Sequence, residues 1–293
     1  MKNIETHRSA ERVAVLGAGT MGHGIAQVTA AAGIPTTLFD PQTEQLERAR
    51  QKIQANMDKG VQRGKVSPED RDRVQRLLTM AASFEAAVAE ADLIIEAVPE
   101  RLELKQDIFR RVDDLAPEGA VLASNTSSLS VSQIATATRR PESVIGLHFF
   151  NPVHLMRLLE VVRGLKTSQE TLDFALGFAA QIGKDPIVVT DTPGFASSRL
   201  GVVLGLEAMR MVEEDVASPQ DIDRAMELGY NHPMGPLRLT DLVGLDVRLG
   251  IAEYLHSTLG GEQYKPPAIL RRMVAEGRLG KKSGEGFYIW DET

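Results

Sequence analysis

The sequence predicts a mostly parallel α/β sheet with helices on both of its faces, followed by a smaller, all-helical C-terminal domain. Through the first two-thirds of the chain, short apolar or β-branched runs alternate with helix-like stretches, as they do in parallel sheets. After residue 190 the strand-like runs cease, and apolar residues recur every three or four positions. A length of 293 residues leaves room for two domains. We therefore predict one domain over residues 1–190 and a second over residues 191–293.

Seven short runs carry the strand pattern, because each is rich in β-branched or apolar residues and is bounded by polar or turn-forming residues. These runs cover residues 13–16, 36–39, 93–97, 121–123, 144–149, 158–162 and 187–189. Between them, Ser67 is placed to cap a helix that begins at Pro68, and Thr167 with Glu170 has the spacing of a capping box. Apolar spacing past residue 190 predicts helices over 200–216, 219–228 and 237–259.

Composition excludes several classes of function. The chain has no cysteine, which removes disulfides, zinc-thiolate sites, iron–sulfur clusters and thiol nucleophiles. Forty acidic and 33 basic residues give a net charge of −7 without a dense basic run, so we expect no nucleic-acid partner. No run reaches the roughly 18 apolar residues of a membrane span, and no apolar leader precedes Val13. We therefore expect a cytoplasmic protein with no membrane segment and no metal site.

The first predicted strand runs directly into a glycine-rich turn. Gly17, Gly19 and Gly22 form the pattern G-x-G-x-x-G between a strand and a helix, the context in which it binds a dinucleotide. Asp40 ends the second strand, where a carboxylate accepts hydrogen bonds from both ribose hydroxyls and repels a 2′-phosphate. These features predict a Rossmann-type domain that binds NAD rather than NADP. We expect the cofactor to contact Gly17, Gly19, Thr20, Met21, Gly22 and Asp40.

Two further predicted strands end in polar residues. Residues 121–123 lead into a Ser- and Asn-rich segment, and His148 follows the run 144–147. The carboxyl ends of parallel strands line the ligand crevice of such sheets. An imidazole accepts a proton at neutral pH, and a carboxylate on its other nitrogen fixes the tautomer and stabilises the imidazolium. Glu160 is flanked on both sides by apolar residues, so its charge requires a buried partner.

On these residues the sequence resembles the NAD-dependent L-3-hydroxyacyl-CoA dehydrogenases, particularly the short bacterial 3-hydroxybutyryl-CoA dehydrogenases. The resemblance implies that His148 is the general base for the substrate 3-hydroxyl, that Glu160 orients its imidazole and that Ser127 hydrogen-bonds the substrate oxygen. It also implies a helical domain that contributes to the substrate pocket and to a homodimer interface. The similar segments cover residues 17–24, 123–129, 146–152, 191–199, 229–244 and 280–288.

The resemblance assigns further residues to the two ligands. Besides the glycine-rich turn and Asp40, the residues implied to contact the dinucleotide are Glu100, Lys105, Ser127, Asn151 and Lys282. On the polar stretch 43–64, the residues implied to contact the CoA part of an acyl-CoA substrate, together with Ser127, are Asn56, Lys59 and Arg63. Cations at these positions would meet the nucleotide phosphates. Considered by itself, the stretch 43–64 is typical of a solvated helix face.

One position departs from the family pattern. The family has Pro-Gly-Phe-x-x-Asn-Arg, whereas residues 193–199 place Ser198 where the active-site asparagine is expected. A serine keeps one donor and an acceptor but loses the second donor and the reach of an amide. Two alternatives to an acyl-CoA dehydrogenase stay open, and the lost asparagine supports only the non-catalytic one. One is an NAD-dependent dehydrogenase of a free hydroxy or sugar acid, similar to the gulonate dehydrogenases related to lambda-crystallin, and the other is a non-catalytic NAD-binding protein.

Overall fold

The computed structural model of the chain describes residues 9–290. The chain divides into two compact units, and the division falls between Asp191 and Thr192. The first unit is built on a mostly parallel sheet with helices, and the described part of the second unit is helical. This arrangement confirms the predicted fold class.

Within residues 9–290, the first unit contains one eight-stranded sheet. Its strands are β1 (Val13–Leu16), β2 (Thr36–Phe39), β3 (Leu78–Met80), β4 (Leu93–Glu96), β5 (Val121–Ser124), β6 (Val144–Phe149), β7 (Leu158–Arg163) and β8 (Asp185–Thr190). The order across the sheet is β3-β2-β1-β4-β5-β6-β7-β8, and only the β6–β7 pair is antiparallel. All seven predicted strands are confirmed. The edge strand β3 was not predicted, because three residues directly after a helix carry no periodic signal.

Helices of the first unit connect these strands. In the described part of the chain they are α1 (Gly22–Ala31), α2 (Thr43–Gln62), α3 (Pro68–Leu77), α4 (Phe84–Val88), α5 (Leu102–Leu115), α6 (Val131–Ala135) and α7 (Gln169–Gln181). Ser67 caps α3 as predicted, since its hydroxyl accepts a hydrogen bond from the first turn at 3.0 Å. The capping box predicted at Thr167 is wrong, because Ser168 caps α7. The Thr167 hydroxyl instead donates to the Val144 carbonyl at 2.6 Å.

The central strands position the loops that follow them. β1, β4, β5 and β6 are buried along their whole length, as expected for parallel strands covered by helices on both faces. Ile25 of α1 and Phe178 of α7 belong to the same buried cluster as Val15, Ile145 and Leu159. Each buried side chain of this size contributes about 1.5–3 kcal/mol. The sheet is therefore a rigid support for the loops at its carboxyl edge.

The second unit is described over its helices α8 (Ser197–Glu213), α9 (Pro219–Tyr230), α10 (Pro236–Val243), α11 (Leu245–Leu259) and α12 (Ala268–Ala275). Its apolar cluster includes Val202, Leu206, Leu237 and Leu255. The single helix predicted over 237–259 is wrong, because the chain breaks at Gly244 into α10 and α11. Gly244 has φ +104°, a conformation that side chains rarely adopt.

Across residues 9–290, no helix is both long enough and apolar enough to cross a bilayer. The same residues hold no group of three or more His, Asp or Glu side chains arranged to bind a metal ion.

Candidate active site

Several predicted site residues follow strands that end at one edge of the sheet. β1, β2, β4, β5 and β6 pair in parallel, so their carboxyl ends face the same way. The glycine-rich turn follows β1, Asp40 follows β2, Glu100 follows β4, and Ser127 follows β5. His148 is the last residue but one of β6, at the end of the strand that faces this edge. The topology therefore groups these residues in the region where open parallel sheets bind ligands.

The glycine-rich turn has the shape that a dinucleotide requires. A Cβ on Gly17, where φ is +103°, would lie 2.6 Å from the Ala97 carbonyl oxygen, and one on Gly22 would overlap the Gly17 carbonyl. A Cβ on Gly19 would meet no protein atom within 4 Å, so its backbone faces open space. The unpaired N–H groups at the start of α1 favour an anion there. The turn therefore fits a pyrophosphate.

Asp40 lies beside this turn and is fixed by two main-chain amides. The Ala18 amide donates to Oδ2 and the Gln42 amide donates to Oδ1, each at 2.9 Å. The half-buried carboxylate faces a groove of about 1210 Å³ that also contains Gly17, Gly19, Thr20 and Met21. One groove therefore contains Asp40, predicted to bind the adenosine ribose, and all the predicted residues of the turn except Gly22.

Glu100 organises the loop that follows β5. Its Oε1 accepts hydrogen bonds from the Thr126 hydroxyl at 2.6 Å and from the Ser127 amide at 2.8 Å. Burial alone would raise the pKa of Glu100, but the Lys105 cation and these hydrogen bonds outweigh it and lower the pKa. Glu100 is therefore an anion that holds Ser127 in place.

Lys105 is enclosed by the protein rather than presented at the surface. Its side chain is fully buried, and Nζ lies 2.7 Å from Glu96 Oε1 and 3.2 Å from Glu100 Oε2. Glu96 also accepts a hydrogen bond from the Ser124 hydroxyl at 2.6 Å. The sequence prediction missed Glu96. Its signal was the same as that of Glu160, because Glu96 is an acid next to the apolar residues of a buried strand. Lys105 therefore contacts the 125–128 loop through Glu100.

His148 and Glu160 form a buried pair. They are directly opposite in the antiparallel β6–β7 register, and His148 Nδ1 lies 2.7 Å from Glu160 Oε2. The Glu160 side chain has no exposed surface and that of His148 is 7% exposed. Because a carboxylate only accepts hydrogen bonds, His148 Nδ1 is the donor to Glu160. The pair has the geometry of a general base with an orienting carboxylate.

The loops after β5 and β6 are joined next to this pair. Asn125 Oδ1 accepts a hydrogen bond from the Phe149 amide at 2.9 Å, and the Phe150 ring lies 4.5 Å from the His148 ring. Asn151, two residues after the end of β6, is exposed, and its peptide bond to Pro152 is cis. Asn125 was not among the predicted site residues, and its signal is its place in the polar segment that follows β5. This link fixes the β5 loop, which carries Ser127, relative to the strand that carries His148.

A second groove of the first unit, of about 760 Å³, contains the three residues predicted to contact CoA. Asn56, Lys59 and Arg63 all lie at or just beyond the C-terminal half of α2. The Lys and Arg residues that line the same groove and that the sequence prediction missed are Lys65, Arg73, Arg157 and Lys184. The polar stretch 43–64 is thus a helix with one face on a cationic groove, which suits a ligand that carries several phosphates.

Two predicted site residues belong to the second unit. Ser198 lies in the first turn of α8. Lys282 lies close to both carboxylate oxygens of Asp246, at 2.5 and 2.6 Å, in the segment that follows α12. Burial would raise the pKa of Asp246, but its hydrogen bond from Lys282 lowers it. Lys282 is therefore held by an anionic partner within its own unit.

Two family models match the chain over almost its whole length. The 3-hydroxyacyl-CoA dehydrogenase, NAD binding domain, matches residues 12–192, and the 3-hydroxyacyl-CoA dehydrogenase, C-terminal domain, matches residues 194–290. The chain belongs to the 3-hydroxyacyl-CoA dehydrogenase family. This membership confirms the resemblance stated from the sequence and the expectation that NAD is the cofactor.

Relatives of this 3-hydroxyacyl-CoA dehydrogenase family member match it over nearly its whole length. It is 43% identical to the probable 3-hydroxybutyryl-CoA dehydrogenase of Bacillus subtilis, over 96% of this chain and 98% of that protein. The crystal structure of M. tuberculosis FadB2 has a TM-score of 0.94 at 42% identity and covers 97% of this chain and 100% of that one. The crystal structure of (S)-3-hydroxybutyryl-CoA dehydrogenase PaaH1 from Ralstonia eutropha has a TM-score of 0.92 at 37% identity. The match covers 97% of this chain and 100% of that one. These relatives favour an acyl-CoA dehydrogenase over the free-acid dehydrogenase and the non-catalytic alternative.

Proposed function

We propose that this enzyme interconverts a 3-hydroxyacyl-CoA and the corresponding 3-ketoacyl-CoA with NAD, on short substrates of the 3-hydroxybutyryl-CoA and acetoacetyl-CoA type. The observation that carries the proposal is the 2.7 Å contact between His148 and the fully buried Glu160. The names of the full-length relatives support the short acyl chain. The cationic groove beside α2 supports an acyl-CoA over a free hydroxy acid, which has no phosphates to bind there.

His148 is the general base of the proposed reaction. With Nδ1–H held by Glu160, Nε2 accepts the proton of the substrate 3-hydroxyl, and the resulting imidazolium faces a carboxylate. The buried surroundings strengthen this charge pairing relative to water. Ser127, on a loop held by Glu100, donates a hydrogen bond to the same substrate oxygen. In the reverse direction His148 returns the proton to that oxygen.

The cofactor lies along the carboxyl edge of the sheet in this proposal. When bound, NAD supplies the hydride acceptor for C3 of the substrate. Gly17, Gly19, Thr20, Met21 and Gly22 would hold the pyrophosphate, and Asp40 would bind the adenosine ribose. The residues assigned to the nicotinamide half are Glu100, Ser127, Asn151 and Lys282. Lys105 supports this half through its ion pair with Glu100.

We propose a cofactor domain over residues 1–190 and a helical domain over residues 191–293, and we assign Ser198 of the helical domain to substrate binding. We also propose that it forms a homodimer. Its helices expose apolar side chains that a second copy would cover, including Leu239, Leu242, Val243 and Val247 at 39 to 44% exposure. We place the enzyme in the cytoplasm.

The substrate class is tested by initial rates of NADH oxidation with acetoacetyl-CoA, longer 3-ketoacyl-CoA esters and free acetoacetate, measured side by side. We expect the highest kcat/KM with acetoacetyl-CoA and only a trace with acetoacetate. Equal rates with the free acid would favour the hydroxy-acid alternative. Complete inactivity of the protein on all of these compounds would contradict catalysis itself.

A further inference from the structure

The loop over residues 150–157, which joins β6 to β7, is held by a buried lysine. Lys184, the residue before β8, is 8% exposed, and its Nζ donates to the Val153 carbonyl at 2.5 Å and to the Met156 carbonyl at 2.6 Å. Buried lysines are normally paired with an acid. In the described part of the chain no carboxylate lies within ion-pair distance of Lys184. Its ammonium is therefore committed to the main chain of this loop.

The opposite side of the same loop packs against the helix that begins at the glycine-rich turn. A Cβ added to Gly24 of α1 would lie 2.9 Å from both Cβ and Cγ2 of Val153. The Val153 side chain is buried. The Val153 side chain therefore packs against α1, and its carbonyl accepts a hydrogen bond from Lys184. Close packing of this kind restricts the movement of Val153.

The side chain of Lys184 is not required to fix its own strand. β8 pairs with β7 in parallel from Leu158 opposite Asp185 to Arg163 opposite Thr190. The Asp185 amide also donates to the Arg157 carbonyl at 2.9 Å. The backbone around Lys184 is thus held by the sheet, and the hydrogen bonds of its ammonium serve the 150–157 loop.

The beginning of this loop lies at the catalytic base. The Phe150 ring lies 4.5 Å from the His148 ring, and Asn151 is the residue that we assign to the nicotinamide half of the cofactor. We propose that Lys184 is a positioning residue. Its hydrogen bonds to the Val153 and Met156 carbonyls fix the 150–157 loop and so hold Phe150 and Asn151 in place beside His148. This inference rests on the proposed function, because its effect is seen in turnover. Burial lowers the pKa of Lys184, in agreement with its enclosed position.

The first test replaces the ammonium by an apolar side chain of similar length. Lys184→Met should lower kcat with acetoacetyl-CoA by roughly 10- to 100-fold, because small displacements of groups around a reacting centre cost that much. The dissociation constant of NADH should change less than kcat, since Asp40 is held by the Ala18 and Gln42 amides rather than by this loop. Lys166→Met, at an exposed lysine of the same unit, should match wild type. A kcat for Lys184→Met within twofold of wild type would overturn the proposal.

The second test restores the ammonium chemically and decides the matter even if Lys184→Met folds poorly. Because the chain has no cysteine, Lys184→Cys carries a single thiol. Alkylation of the unfolded variant with 2-bromoethylamine and refolding gives a side chain with an ammonium close to its original position, whereas iodoacetamide gives a neutral amide. We expect the aminoethylated protein to turn over at least tenfold faster than the amide form. Lys166→Cys, treated in the same two ways, should show no difference between them.

Equal turnover of the two alkylated forms of Lys184→Cys, with the Lys166→Cys controls recovered after refolding, would show that the ammonium does not position the loop. The two proposals fail separately. A wild-type protein that is inactive on every acyl-CoA rejects the proposed function, whereas an active wild type with an equally active Lys184→Met rejects only the role of Lys184.

Discussion

At the scale of single residues, the buried environment of Glu160 determines what His148 can do. Glu160 lies in a strand whose neighbouring side chains are buried, so its carboxylate is stabilised by the partner that the strand register places opposite it. Removing one member of a buried polar pair leaves the other without compensation. The two residues therefore act as a unit, and substitutions in them are not expected to be additive.

Replacement of the base should remove turnover while leaving cofactor binding intact. His148→Gln should lower kcat by roughly 10²- to 10⁴-fold, the usual contribution of a general base, because glutamine accepts no proton. Steady-state rates with acetoacetyl-CoA give kcat, and quenching of NADH fluorescence gives its dissociation constant. His232→Gln, in the second unit, serves as the matched control. A His148→Gln variant with near-normal kcat would require another base, and His154 in the following loop would be examined first.

Asp40 should set the preference for NAD over NADP. Its carboxylate is held in place by the Ala18 and Gln42 amides, so a 2′-phosphate brought beside it meets like-charge repulsion. Wild type should be more efficient with NADH than with NADPH in kcat/KM. Asp40→Asn keeps an oxygen acceptor but removes the charge, and we expect it to reduce this preference by about tenfold, or about 1.4 kcal/mol. An unchanged ratio would remove the assignment of Asp40 to the ribose.

Ser198 tests whether the departure from the family pattern affects catalysis. Loss of a hydrogen bond of moderate quality costs about 1–3 kcal/mol, so Ser198→Ala should slow turnover of acetoacetyl-CoA by roughly 5- to 150-fold. Ser198→Asn, which restores the amide of the family pattern, should remain active. Rates of both variants are compared with wild type. An alanine variant as fast as wild type would make Ser198 a packing residue of α8.

At the scale of elements, the parts of the fold with local signals could be predicted from the sequence. The seven strands, the glycine-rich turn and the cap at Ser67 depend on residues close together in the chain. β3 and the break at Gly244 could not be predicted, because a three-residue strand forms only by pairing with β2 and an isolated glycine is tolerated within many helices. Thr167 and Ser168 are adjacent hydroxyl residues, and tertiary contacts decide which one becomes the cap.

The site residues, like the elements, could be predicted where their signal was local in the sequence and could not where it depended on other elements. A buried partner for Glu160 could be anticipated, because an acid between apolar neighbours requires one, and the resemblance to the dehydrogenase family implied that His148 is this partner. The buried lysines could not, since lysine is almost always exposed and the partners of Lys105 and Lys184 come from other elements. Glu96 could have been predicted to need a buried partner by the same argument as Glu160, because it also follows apolar residues of a buried strand.

The loop after β5 should respond to pH through Glu100. Because the pKa of Glu100 is lowered in the folded protein, its contribution to stability is present above the ordinary glutamate value of about 4.3 and is lost as the pH falls through the lower folded-state value. Glu100→Gln should therefore lower Tm at pH 7, and the difference from wild type should shrink below about pH 4. Glu118→Gln, at an exposed position, is the control. A difference that stays constant from pH 7 to pH 3 would contradict this assignment.

At the scale of the whole molecule, the two units carry different parts of the proposed function. The first unit contains the cofactor groove, the His148–Glu160 pair and the cationic groove. The second unit adds Ser198 and Lys282 and presents apolar side chains on α10 and at the start of α11. Monomeric proteins rarely leave large contiguous apolar patches exposed. The exposed side of the helical unit is therefore the surface that we expect a second copy to cover.

The proposed homodimer makes a prediction about the whole chain in solution. Wild type should sediment at about twice the chain mass of 32.0 kDa. Leu242→Asp combined with Val243→Asp should shift it to the monomer, because a charge buried in an interface without a partner is costly, whereas a charge on a free surface is nearly neutral. Leu165→Asp, at a position 87% exposed in the first unit, should leave the dimer intact. A monomeric wild type would contradict the homodimer, and a double variant that remains dimeric would place the interface away from the end of α10.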